Sequence, residues 1–155
     1  MFDLMFTELY EGLEYTQKAL RTKDIDDLEI VVMTNMAIEQ YEQRNFKFAI
    51  DVFNRLIKRK NRWDFYYNIG VIYWIMENEP NAINYLQKAL SFTDLEYYEI
   101  LIKFLLGKIY FKIGEYNNVI RCLDDVRKFK EYKIEETYYW LAFCHYKTKF
   151  YYRAR

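Results

Sequence analysis

The sequence predicts an all-α chain of paired helices, and three observations carry that prediction. Apolar and small residues recur at three- and four-residue steps through most of the chain, the period of a helix with one buried face. The clearest stretch is Trp63 to Asp94, WDFYYNIGVIYWIMENEPNAINYLQKALSFTD, where Tyr66, Ile69, Gly70 and Tyr73 share a face and Ala82, Leu86 and Ala89 share another. A small residue is also followed, twelve positions on, by a second small or β-branched one at Ala37/Ala49, Gly70/Ala82, Gly107/Val119 and Ala142/Ala154. Successive pairs lie 33, 37 and 35 residues apart. Each pair reads as two helix backbones in close approach, the two small residues facing each other. Lastly, only 4 Gly and 1 Pro in 155 residues leave little room for a turn-rich β-sandwich.

Taken in order, Met1 to Arg21 places Phe2, Phe6, Leu9, Leu13 and Leu20 at helical steps, with Thr16 filling the rhythm. One amphipathic helix is expected there, acting as an N-terminal cap or as the second helix of a partial repeat (1–23). The hexapeptide YTQKAL (Tyr15 to Leu20) returns as YLQKAL (Tyr85 to Leu90), 70 residues on. A first repeat (24–62) pairs a helix from Asp24 to about Gln43 with one from Phe46 to Lys58, turning at Arg44 and Asn45. Ala49, Phe53 and Leu56 point inward. The second (63–94) breaks at Glu77-Asn78-Glu79-Pro80, with Pro80 in the first turn of the following helix, where its missing N–H costs nothing. The third (95–133) pairs Leu95 to Ile113, stopped by Gly114, with Tyr116 to Phe129. A truncated repeat (134–155) has a helix from Glu135 to Lys147 and the start of a partner at Phe150. First helices open on acids (Asp24, Asp26, Asp27, Asp64, Asp94, Glu96, Glu135, Glu136) and second helices close on bases (Lys58 to Lys60, Arg127 to Lys130). Each sign opposes the helix dipole at its end.

A helix–turn–helix unit recurring near every 34 residues resembles the tetratricopeptide repeat. The residues that carry the resemblance are Tyr66, Ile69, Gly70, Tyr73, Ala82 and Leu86, and it extends over about residues 24 to 155. It departs from the family at Lys103, where Trp or Tyr is usual, at His145, where Tyr is usual, and in lacking the closing proline. The resemblance implies one domain (1–155), a helical-hairpin solenoid wound as a right-handed superhelix, with about 3.5 repeats behind the N-terminal helix. It also implies protein or peptide binding rather than catalysis.

Composition narrows the rest. Hydrophobic residues at 52% and aromatics at 21% argue against disorder. Lys plus Arg and Asp plus Glu are 23 each, so the net charge favours neither nucleic acid nor an anionic membrane. No apolar run reaches spanning length, and Met1 to Thr7 lacks the basic start of a signal peptide. Two cysteines, Cys122 and Cys144, suit reduced thiols and a cytoplasmic location better than a disulfide framework. With His145 they make three zinc ligands at most, without a spacing signature, so neither metal nor other cofactor is expected. Cys144 and His145 are adjacent and point about 100° apart on a helix, so they form no nucleophile–base pair. His145 shares the column of Tyr73 and Tyr110 and reads as a packed aromatic. Asp124 and Asp125 read as solvated. The basic run from Arg55 to Arg62 lacks the interleaved aromatics of an RNA surface.

A concave surface is what remains. In the resembled fold the first helices line a groove. Here that lining would be Asn35, Ile38 and Tyr41; Tyr67, Asn68, Val71 and Trp74; Phe104, Lys108 and Phe111; and Tyr139, Trp140, Phe143 and Tyr146. Tyr66, Ile69, Tyr73, Leu106, Tyr110, Tyr138 and Leu141 are expected to face inward. Such a lining suits an apolar peptide or helix, as an adaptor or assembly scaffold would bind. The carboxylate clamp for chaperone tails needs several Lys, Arg and Asn, of which only Asn68 matches. Three alternatives stand beside this reading: a peptide-sensing domain of a longer signalling protein, self-association through the terminal repeat, and terminal helices that cover the groove.

Overall fold

Local chemistry starts and stops each helical run. In the computed structural model, which describes residues 2–21, 27–128 and 135–153, the runs become eight helices. These are α1 (Phe2–Arg21), α2 (Leu28–Glu42), α3 (Phe46–Arg59), α4 (Trp63–Ile75), α5 (Glu79–Phe92), α6 (Glu96–Lys112), α7 (Tyr116–Lys128) and α8 (Glu135–Arg153). No strand occurs among the described residues. The expected helix ends at Asp24, Asp26, Phe129 and Lys130, and the small residue Ala154, lie outside the described residues. Asp27 caps α2, its carboxylate accepting from the amides of Glu29 at 2.9 Å and Ile30 at 3.5 Å. The Asn78 side chain accepts from the Asn81 amide and opens α5, with Pro80 in its first turn as expected.

One turn type joins α2 to α3, α4 to α5 and α6 to α7. Arg44, Glu77 and Gly114 each take a left-handed conformation, with φ of 61°, 57° and 80°. Their amides donate to the carbonyls of Tyr41, Trp74 and Phe111, and the next residues' amides donate to those of Gln40, Tyr73 and Tyr110. That is the Schellman pattern, which satisfies the last carbonyls of a helix. The three sites stand 33 and 37 residues apart, the same spacing as the small-residue pairs.

The chain folds as two compact units, Met1–Thr93 and Asp94–Arg155. In the first, the α2/α3 and α4/α5 hairpins stack through α3 against α4, and α1 lies mainly on α4. Ala37, Ala49 and Ala82 are fully buried, among Phe53, Leu56, Phe65, Ile69, Ile72 and Leu86. The close approach is shifted by one turn from the expected one. A Cβ on Gly70 would meet not Ala82 but Leu86, with Cγ at 2.8 Å and the backbone N at 3.2 Å. Tyr85 lies against Tyr73, ring centroids 5.5 Å apart, and its hydroxyl donates to Asn54 Oδ1 of α3.

In the second unit α6 pairs with α7, and α7 packs on α8. A Cβ on Gly107 would meet Leu123 Cδ2 at 3.0 Å, the same one-turn shift. Lys103, the residue in an aromatic column, bridges the hairpin: its ammonium donates to Glu99 Oε1 at 2.7 Å and reaches Asp125 Oδ2 at 3.1 Å. Asp125 is therefore paired rather than simply solvated, and Lys128 adds a second contact at 3.2 Å. Asp124 pairs with Arg127 at 3.2 Å.

α8 corrects the expected end of the array. It is continuous from Glu135 to Arg153, so no turn precedes Phe150. Residues Lys147, Thr148 and Lys149 contain no Gly, Pro or Asn to stop a helix. Ala142, the counterpart of Gly70, is exposed. Tyr138 is 56% exposed rather than inward, and His145 is exposed rather than packed. Leu141 and Cys144 are buried as the helical register demands.

Candidate functional site

The expected lining divides between the two units, seven residues in each. In the first, α1 decides what is open. Gly12 is the point of nearest approach: a Cβ there would overlap Asn68 Oδ1 and the Tyr67 ring. One turn on, the Thr16 hydroxyl lies 2.7 Å from Asp64 Oδ2 and 2.9 Å from the Gly12 carbonyl, and its single proton serves one at a time. It accepts from Asn68 Nδ2 at 3.1 Å. Arg62 Nε donates to the other carboxylate oxygen, Asp64 Oδ1, at 3.0 Å. Tyr15 closes the contact against Trp63, ring centroids 4.7 Å apart.

Tyr67, Asn68 and Val71 are accordingly buried, at 0, 3 and 2% exposure, and do not line an open groove. The physical reason is that a helix of this same chain satisfies the polar groups of that face and covers Tyr67. Ile38 is likewise in the core, and Tyr41 packs edge-on against Phe46 at 5.8 Å. Asn35 is exposed and Trp74 half-buried.

The second unit brings four of its seven residues together as one aromatic stack, with Lys108 at its edge. The Trp140 ring lies nearly parallel to Phe104 (5.8 Å, 8°) and to Phe111 (5.3 Å, 13°). Phe143 leans on Phe111 at 5.4 Å, and Tyr116 of α7 meets both at 6.0 Å. Lys108 Nζ sits 4.7 Å from the Phe104 centroid, and Lys147 Nζ 5.5 Å from that of Phe143. Phe104 is buried, while Lys108, Phe111, Trp140 and Phe143 are half-buried. Tyr139 and Tyr146, two helical turns apart, remain open at 70 and 58%. This surface offers flat apolar area with ammonium groups at its edge.

Neither cysteine is an activated nucleophile. Both cysteines are free thiols, and burial pushes each up to about 11, so they are protonated at neutral pH. Among the described residues no three His, Cys, Asp or Glu side chains stand close enough to hold a metal. Two arginines of the basic run are engaged: Arg59 with Glu29 at 2.8 Å and Asp27 at 3.8 Å, Arg62 with Asp64. No described helix is long and apolar enough to cross a membrane.

A terminal helix over the groove was among the alternatives read from the sequence, but its contacts with α4 were not. Its one visible signal was Gly12, since glycine inside a helix is disfavoured by roughly 0.5–1 kcal/mol against Ala and marks a close approach when kept. Asp64 was legible only as a helix-opening acid.

Residues 64–93 match the family model described as tetratricopeptide repeat, and the match coincides with the α4/α5 hairpin. No curated protein was found to match the chain. The all-helical architecture, the recurring hairpin turn and the matched unit support a tetratricopeptide-repeat-like fold, built on a repeat that generally serves protein–protein interaction.

Proposed function

We propose that the protein is a non-catalytic adaptor or assembly scaffold that binds an apolar peptide or helix on the aromatic surface of α6 and α8. The observation that carries this reading is the Phe104–Trp140–Phe111–Phe143 stack, edged by Lys108 and Lys147 and continued by the open rings of Tyr139 and Tyr146. Half-buried aromatics held rigid by stacking lose little side-chain entropy on binding, which makes them strong anchors. The lysines would orient the ligand's backbone or a carboxylate. Asn35 and Trp74, the expected lining residues still reachable in the first unit, belong to the same proposal as a separate surface. Free thiols fit a reducing compartment, and we place the protein in the cytoplasm on that ground.

The test is affinity capture followed by mass spectrometry, run with the parent chain and with Trp140→Ala and Tyr139→Ala. Partners should be retained by the parent and weakened at least tenfold by Trp140→Ala, with helix content preserved. Added salt should change capture little, because the contact is chiefly apolar. Capture insensitive to both substitutions, yet abolished by charge reversal at Arg55 and Lys58, would move the site to the basic run.

Self-association is a second reading, favoured by the open face of α8 with Tyr138, Ala142 and His145 at positions that α5 covers in α4. Sedimentation over a wide concentration range distinguishes the two. A dimer weakened by Ala142→Glu supports self-association, and a monomer at all concentrations removes it.

A further inference from the structure

We propose that α1 is a built-in occupant of the α4 face, and that a partner helix of matching chemistry displaces it. That partner is an amphipathic helix carrying Gly at one position, Leu or another apolar residue at the next, and Thr or Ser four positions after the Gly.

The pattern is read from how α1 is held. Gly12 sits where any side chain would overlap Asn68 Oδ1 and the Tyr67 ring. Leu13 and Ala19 join the buried cluster of the first unit. Thr16 places its hydroxyl between Asp64 Oδ2 and Asn68 Nδ2, both residues fully or almost fully buried. Leu13 supplies apolar area, Gly12 sets the approach and Thr16 sets the register. A helix that lacks the small residue cannot come near enough for the hydroxyl to reach Asp64.

Two features make the occupant displaceable. Of what the contact buries, the Asp64 carboxylate, the Asn68 amide and the Thr16 hydroxyl are re-solvated by water when it opens, which offsets part of the cost of exposing Leu13, Ala19 and Tyr67. Asp64 also keeps its Arg62 partner, which stands on the α4 side of the contact. α1 packs mainly on α4 and touches α2 only slightly, so its departure leaves both hairpins with their own alanine- and leucine-filled cores. Elements held by few contacts open below the global unfolding limit. The face beneath carries Tyr67, Asn68 and Val71, three residues of the expected lining.

The experiment uses the full chain and a labelled synthetic peptide of residues 2–21, read by fluorescence anisotropy. The peptide should bind the parent chain weakly, because the chain's own α1 competes. Gly12→Leu in the chain should expel α1 and tighten peptide binding at least tenfold, and Thr16→Val in the chain should shift it the same way. The same peptide carrying Gly12→Leu should fail to bind any of these chains, a readout that needs no altered protein to fold. The proposal is overturned if the parent peptide binds no chain, if it binds all chains equally, or if the Gly12→Leu peptide binds as well as the parent peptide. A concentration-dependent dimer of the parent chain that Gly12→Leu abolishes would assign the face to a second copy's α1 and would also overturn it. The aromatic surface of α6 and α8 is read separately by Trp140→Ala, so the two proposals fail independently.

Discussion

Gly70 and Ala142 hold the same place in the repeat and should answer mutation in opposite ways. At Gly70 even a methyl group meets Leu86 Cγ at 2.8 Å and its backbone N at 3.2 Å, so the α4/α5 pair must move apart. Gly70→Leu is expected to destabilise by about 2 kcal/mol or more in urea unfolding, as overpacking does. Ala142→Leu adds its side chain at an exposed position of α8, and the change should stay within about 0.5 kcal/mol. Equal costs at the two positions would contradict the packing described for both. Lys103 and Asp125 give a pH dependence. The Lys103 hydrogen bond holds the Asp125 carboxyl below its ordinary 3.8. Burial alone would lower Lys103, but the hydrogen bonds it donates to Glu99 and Asp125 outweigh it and raise the ammonium above 10.5. A lowered acid stabilises the fold above its ordinary value and loses that contribution as pH falls through the native one. A raised base stabilises below its ordinary value and loses the contribution as pH rises through the native one. The pair therefore contributes between about pH 4 and 10.5 and fades on both sides. Asp125→Asn should cost about 0.5–1 kcal/mol at neutral pH, the scale of a partly exposed ion pair. Its stability should converge with the parent's near pH 2. A constant gap from pH 2 to 7 would rule the ion pair out as the cause.

At the scale of the helix pair, the three Schellman turns use one geometry with three different residues. Gly114 adopts φ of 80° without a Cβ penalty, whereas Arg44 and Glu77 reach 61° and 57° with one. A non-glycine residue in this conformation costs on the order of 1 kcal/mol. Glu77→Gly should therefore stabilise only slightly, by up to about 0.5 kcal/mol, once the unfolded chain's added freedom of about 0.4–1 kcal/mol is counted. Gly114→Ala should destabilise by about 1 kcal/mol. Thermal unfolding of both variants measures this, and the same sign for the two would show that the turns are not equivalent. The first and third first-helices ended where their sequences said they would. The turn type itself was legible only at Gly114, because Arg and Glu carry no local signal for a left-handed conformation. The length of α8 was misread for a related reason. The spacing of Ala142 and Ala154 implied a returning partner, but Lys147, Thr148 and Lys149 have no means of stopping a helix.

For the whole molecule, far-UV circular dichroism should report mainly helix, and a substantial β component would refute the fold. The sequence by itself determined the all-helical class, the hairpin unit, its repeat spacing and most helix ends. Those properties rest on interactions within a few residues or one helical turn: the 3.6-residue period, Asp27 and Asn78 as caps, Pro80 in a first turn, and small residues where two helices meet. Only the tertiary structure decided what covers each helix face. The period assigns Tyr67 and Asn68 to a face of α4, but says nothing of Gly12 and Thr16, about 50 residues earlier in the chain, which cover it. It assigns Tyr138 and Ala142 to a face that a returning helix would bury, and α8 continues instead. It groups Phe104, Phe111, Trp140 and Phe143 by face, and the fold stacks them on one another. A side chain's face is set by its own helix, but its exposure is set by whichever distant segment packs there, and that choice is made by tertiary packing.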